Sequence, residues 1–356
     1  MTTRINGPRI ERDARFDEFL KVLRREGTPA YLPFYEHFAS PGFMVSRVPE
    51  MAEAKEQGDR ERYYKLYAEF YLSLGYDCIP LEIPLSFGKI ERKASDHQSE
   101  KGACIESMDD FESLAWPDEE SPINLDAFEI VGSAIPDHIK IVGGVCGGPY
   151  EAATQQLLGV MGLSYALMDM PDVVQAVFGK LQTLYTNANR QLATMDCIGA
   201  TRQGDDLGFK TGTFMPPDML REHVFPIYKA MVDEAHGQGK PFILHSCGQL
   251  AEVYEDLIEC GIDAKHSYED QITPVWDFLA QYGDRITPLG GLDVDTVCSA
   301  DEETLRAYTR SAVEKCWGEG KYWALGTGNS LADYIPLENY LVVLDEGQKT
   351  ARRCRA

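Results

Sequence analysis

The feature that most constrains this chain is a short apolar run, ending in glycine or a polar cluster, that recurs ahead of a longer helix-forming stretch. The runs occupy residues 30–34, 77–83, 139–146, 197–204, 241–245, 262–266, 286–291 and 322–326. Between them the apolar residues fall at helical spacing. Residues 171–195 place Val173, Val174, Val177, Leu181 and Leu184 on one face. Residues 216–239 do the same through Leu220, Val224, Ile227 and Met231, opened by Pro216-Pro217 and closed by Gly237 and Gly239. Residues 249–260, 274–282 and 301–317 are further helix candidates. Strand alternating with helix predicts a parallel α/β sheet. Eight such units favour closure into a (β/α)8 barrel behind an N-terminal helical extension, with residues 1–356 as one domain. Residues 51–74 and 86–118 exceed what a minimal unit needs and are candidate lids.

Composition removes several classes of function. A formal net charge of −23 is unsuited to nucleic acid or an anionic membrane surface. No apolar run approaches the roughly 20 residues of a membrane span. The N-terminus has no signal-peptide core, so a cytoplasmic location is expected. The nine cysteines are scattered without a CxxC, which argues against a disulfide scaffold.

In a barrel of this kind, chemistry collects at the C-terminal ends of the strands. Those ends read Tyr35-Glu36-His37, Glu82, Gly147-Gly148-Pro149-Tyr150, Gln203-Gly204-Asp205-Asp206, His245-Ser246-Cys247-Gly248, His266 with Glu269 and Asp270, Gly290-Gly291 with Asp293, and Thr327-Gly328-Asn329-Ser330. His245-x-Cys247 is the most pointed of these. Residues two apart on an extended strand face one side, and imidazole with thiolate suits Zn2+. Glu269 and His266 are the candidate third ligands. Without metal, His245 would hydrogen-bond a carboxylate and Cys247 would pack. Asp205 and Asp206 are candidate acid/base groups, or carboxylates that orient His245 or cap a helix. Asp293 has the same ambiguity. Tyr35, His37, Glu82, Tyr150 and Asn329 are candidate substrate contacts. Glu234-Ala-His236-Gly-Gln-Gly239 belongs to a helix end. Gly326-Thr-Gly328 is too short for a phosphate loop, so no nucleotide cofactor is expected.

As a set, these motifs resemble the uroporphyrinogen decarboxylase superfamily. They are Gly143-Gly-Val-Cys-Gly-Gly-Pro-Tyr150, Gly204-Asp-Asp-Leu-Gly208, Met215-Pro-Pro-Asp-Met-Leu-Arg-Glu-His-Val-Phe-Pro226, His245-Ser-Cys-Gly248, Gly290-Gly-Leu-Asp293 and Gly326-Thr-Gly-Asn329 leading to Ile335-Pro-Leu-Glu-Asn339. They run in family order from about residue 75 onward. The resemblance implies a single barrel, often a homodimer. It also implies one of two chemistries. The decarboxylases match at Asp77 and the Gly290–Asp293 turn, but grip their polycarboxylate with an N-terminal arginine pair. Here that region is Thr28-Pro-Ala-Tyr-Leu-Pro-Phe-Tyr-Glu-His37, without arginine, and the family's late histidine is Thr327. The zinc methyltransferases work with a corrinoid protein and carry His-x-Cys plus a later cysteine. His245 and Cys247 match, while the later cysteine is Asn329. The leading expectation is zinc-dependent, corrinoid-linked methyl transfer on a small substrate, with Asp205 or Asp206 as acid/base. The alternative is a metal-free decarboxylase of a less acidic substrate, using Asp77, Asp205 or Asp293. A non-catalytic binding barrel is the third reading.

Overall fold

A computed structural model describes residues 3–88 and 104–354. Its strands are β1 (Cys78–Pro84), β2 (Lys140–Cys146), β3 (Ile198–Gly204), β4 (Gly208–Phe209), β5 (Gly212–Thr213), β6 (Phe242–His245), β7 (Ala264–His266) and β8 (Thr287–Leu289). Six of them form one parallel sheet in the order β1-β2-β3-β6-β7-β8, while β4 and β5 make a small antiparallel hairpin. Parallel bridges Leu289↔Ala324 and Phe34↔Leu325 carry the sheet through the two remaining runs. All eight expected runs therefore contribute to one α/β barrel, six as strands and two as single bridges. Among the described residues no backbone pair joins Phe34 to β1. A side chain spans the seam instead, as Phe34 N donates to Asp77 Oδ2 at 3.2 Å.

The helices follow the expected periodicity, with local departures. Residues 171–195 appear as the helix Pro171–Thr194, whose Val177, Leu181 and Leu184 are fully buried. Each side chain of that size taken out of water stabilises the fold by about 1.5–3 kcal/mol. Residues 216–239 are interrupted by a π-turn at Leu220–Val224 before the helix Phe225–Gly237. Pro226 explains the break, since it lacks an N–H and its ring crowds the carbonyl four residues back. The 249–260 helix starts late, at Tyr254, and ahead of it Gln249 N donates to the Phe209 carbonyl of the β4–β5 hairpin at 2.8 Å.

Ahead of β1 lie the helices Phe16–Arg24, Pro41–Arg47, Glu50–Glu56 and Arg60–Ser73. Residues 51–74 are therefore no lid: Leu66, Phe70 and Tyr71 are buried against the core. Of the second candidate lid, 89–103 lie outside the described residues. No helix among the described residues is long and apolar enough to cross a membrane.

Candidate functional site

Parallel register brings three strand ends together. Gly204 of β3 pairs with His245 of β6, and His245 with His266 of β7. The chain beyond them converges, so Asp206, His245 and Cys247 each present a ligand atom within 4.8 Å of the others. His245 Nε2 lies 3.5 Å from Cys247 Sγ and 3.7 Å from Asp206 Oδ1. Cys247 N also donates to Asp206 Oδ1 at 3.0 Å, which fixes the carboxylate against the strand end. A tetrahedral zinc with bonds of roughly 2.0–2.3 Å needs donor–donor separations of about 3.3–3.8 Å. The His245 nitrogen already stands at that spacing from both the sulfur and the oxygen, and the chemistry of the three donors fits Zn2+. Gly248 permits it: its φ is 84°, and a Cβ there would meet the Gly208 backbone at 2.2 Å.

Two expected ligands fall elsewhere. His266 turns its Nδ1 to His245 Nδ1 at 2.7 Å and its Nε2 to the Thr327 carbonyl at 3.2 Å, so both nitrogens are occupied. Glu269 borders a separate cavity of about 200 Å³ with Asp293 and Asn329. Asp206, expected as an acid/base group or orienter, is the third donor. Asn329 keeps a contact, its Nδ2 donating to Cys247 Sγ at 3.3 Å. An amide donor beside sulfur stabilises a thiolate rather than replacing one.

The donor wall opens on a cleft of about 480 Å³ lined by His37, Phe38, Glu82, Phe87, Cys146, Glu151, Asp205, Asp206 and His245 among others. Arg202, buried behind it, donates to Glu82 Oε2 and His37 Nδ1, each at 3.0 Å, and to the His37 carbonyl. The His37 ring stacks on His245 at 4.2 Å. Asp205 is fully buried and accepts from Tyr228 Oη at 2.7 Å, Glu151 N at 2.9 Å and Tyr150 N at 3.0 Å. Burial, then the charge of Glu151, pushes its carboxyl up to about 8 against those three donors. Burial, then Asp206, pushes the Cys247 thiol up to about 12. A free thiol here is thus a poor nucleophile, and a cation among the three donors would invert that balance. Lys265 ties the strand ends together, donating to the carbonyls of Ser267 at 2.8 Å, Ser246 at 3.1 Å and His266 at 3.3 Å. Beside it Ser267 holds a φ of 88°, backbone strain of the kind that clusters at functional sites, with its Oγ 3.4 Å from Cys247 Sγ.

Several expected site residues are not in the cleft. Asp77 precedes β1, at the opposite end of the sheet, and takes donors from Arg12 at 2.5 Å, Tyr31 at 2.8 Å, and Arg15 N and Phe34 N at 3.2 Å. It holds the barrel seam and cannot reach the cleft chemistry. Asp293 caps the helix Val294–Ser299 through Thr296 N at 2.8 Å. Tyr35 is buried between Phe19 and His266, and Tyr150 contributes its backbone N–H to Asp205. His37 and Glu82 do line the cleft. Arg202, Glu151, Lys265 and Ser267 join the site without belonging to any of the strand-end motifs. Arg202 and Lys265 carried a usable signal, as charged residues inside otherwise apolar strands.

A family model described as uroporphyrinogen decarboxylase (URO-D) matches residues 96–349. The fold is similar to that of a methyltransferase from Methanosarcina mazei, with a TM-score of 0.69 and 17% identity over 95% of this chain and 99% of that one. A β-L-arabinopyranosidase from Geobacillus stearothermophilus aligns at a TM-score of 0.32 and 11% identity, over 94% of this chain and 77% of that one, too distant to carry an argument. No curated protein matches the chain.

Proposed function

The chain belongs to the uroporphyrinogen decarboxylase family, and from that premise we propose that it is a zinc-dependent methyltransferase moving a methyl group between a small substrate and a corrinoid protein. The observation that carries this reading is the donor set of Asp206, His245 and Cys247, with His245 Nε2 3.5 Å from the sulfur and 3.7 Å from the carboxylate, and with Asp206 and His245 on the wall of the cleft. The fold shared with a methyltransferase is consistent with it. Zn2+ held by these residues would supply Lewis acidity to a substrate heteroatom and lower its pKa.

The chain's own groups do the rest. Glu151, its carboxyl raised by burial and then by Asp206, faces the same cleft and can take up the proton that the substrate heteroatom releases. The Arg202–Glu82–His37 cluster fixes the polar end of the substrate. Phe38 and Phe87 give the same cleft an apolar lining that excludes water. Phe38, which lines the cleft, keeps an exposed apolar ring there for a macromolecular partner to cover.

A metal-free decarboxylase is the second reading, and the raised carboxyl of Asp205 is what favours it. That carboxylate accepts from protein donors, and Arg202 is committed to Glu82, so no arginine among the described residues of the cleft is left for an anionic substrate. Metal analysis of protein purified without chelator separates the readings. About one equivalent of zinc, lost in Cys247→Ala, is expected; zinc at background level across the pH range sinks the proposal. Saturable ligand binding without turnover would instead identify a binding barrel.

A further inference from the structure

His266, the Thr327 carbonyl and Glu36 are all buried beside the donor set, and none has a part in the steps above. The ring nitrogens of His266 meet only His245 Nδ1, at 2.7 Å, and the Thr327 carbonyl, at 3.2 Å. A carbonyl oxygen can only accept, so His266 Nε2 carries a proton and donates it there. His266 is wholly buried and neither of its ring nitrogens meets a carboxylate that would hold a second proton, so the ring is neutral with one N–H. Its Nδ1 is therefore a lone pair, and His245 Nδ1 must be the donor across the 2.7 Å contact. A neutral His245 ring has a single proton, and that proton is spent on this bond.

We infer that His266 is a positioning residue: together with the Thr327 carbonyl it locks His245 in the Nδ1–H tautomer, leaving the Nε2 lone pair aimed at Cys247 Sγ and Asp206 Oδ1. The lock opposes a real competitor. Asp206 Oδ1, 3.7 Å from Nε2, would favour a proton on that nitrogen, and a protonated Nε2 cannot bind metal. The backbone around the carbonyl is built to hold it. Thr327 N and Oγ1 donate to Glu36 Oε1 and Oε2 at 2.7 and 2.6 Å, and Tyr340 Oη braces the same carboxylate at 2.9 Å. Gly291 N donates to the Thr327 oxygen at 2.9 Å. Gly290, at φ 67°, passes so close that a Cβ would stand 2.3 Å from that oxygen and 2.8 Å from His266 Nε2. What the lone pair serves rests on the zinc reading; which tautomer is present does not.

The first test needs no variant. Long-range 1H–15N spectra of metal-free, histidine-labelled protein resolve the tautomer of each of the seven histidines. His245 as Nδ1–H with His266 as Nε2–H is expected, and His245 as Nε2–H overturns the inference. The second test is competition for zinc with a chelator. His266→Phe should weaken zinc binding by roughly 10–100-fold, as loss of a ligand's hydrogen-bond partner does. His266→Gln, whose amide can accept from His245 and donate to Thr327, should recover most of it. Equal affinity in all three proteins also overturns the inference. A wild-type protein that takes up no zinc defeats the function proposed above while leaving the tautomer result to stand on its own.

Discussion

Glu36 shows how one buried side chain makes the fold sensitive to pH. It is wholly enclosed, and burial pushes its carboxyl up to about 7 despite donors from Thr327 and Tyr340. An unfolded glutamate titrates near 4.3, so between about pH 4.3 and 7 the folded state holds a proton that the unfolded state releases. Its contribution to stability is complete below that window and is lost as the pH rises through about 7. The slope across the window is about 1.4 kcal/mol per pH unit for a single group. Denaturant titrations from pH 5 to 8 should show that decline in the wild type and a flatter profile in Glu36→Gln. Equal slopes in the two proteins would place the titration elsewhere. Residues of this kind were half visible beforehand: Tyr35-Glu36-His37 stood out as a polar strand end, but nothing in the sequence says that Glu36 faces Thr327 across 291 positions.

At the level of strands, the barrel is closed at one seam by Asp77 rather than by a backbone ladder. The Arg12 guanidinium paired with it is itself buried, its side chain only 6% exposed. Asp77→Ala leaves that cation without its anion, a loss that should cost about 3–5 kcal/mol of unfolding free energy. Adding Arg12→Leu should restore part of it. Zinc affinity should stay unchanged in both, because Asp77 lies at the far end of the sheet; a selective loss of zinc would contradict this placement. The strand order was legible because eight apolar runs and their helices carry two distinct periodicities, as in Val177, Leu181 and Leu184. The ligand set was legible only where neighbours in sequence share a strand end, as His245 and Cys247 do. Asp206 joins them through the register of β3 on β6, and register is a tertiary fact. Glu269, one strand further on, was an equally reasonable candidate until that pairing placed it in another cavity.

For the molecule as a whole, a net charge of −23 is a standing self-repulsion that packing must overcome. Raising sodium chloride from 0.1 to 1 M shortens the screening length from about 10 to about 3 Å. The thermal midpoint should therefore climb by several degrees, and a flat or falling midpoint would show that the paired surface charges already cancel the repulsion. The donors of the candidate metal site have one more consequence. All three lie at or just beyond the ends of two adjacent strands, while His37, Glu82 and Glu151 belong to other segments of the chain. Metal chemistry and substrate choice are thus written on separate pieces of the chain, so descendants of this protein can trade one substrate for another by redrawing those other segments while the clasp is inherited intact.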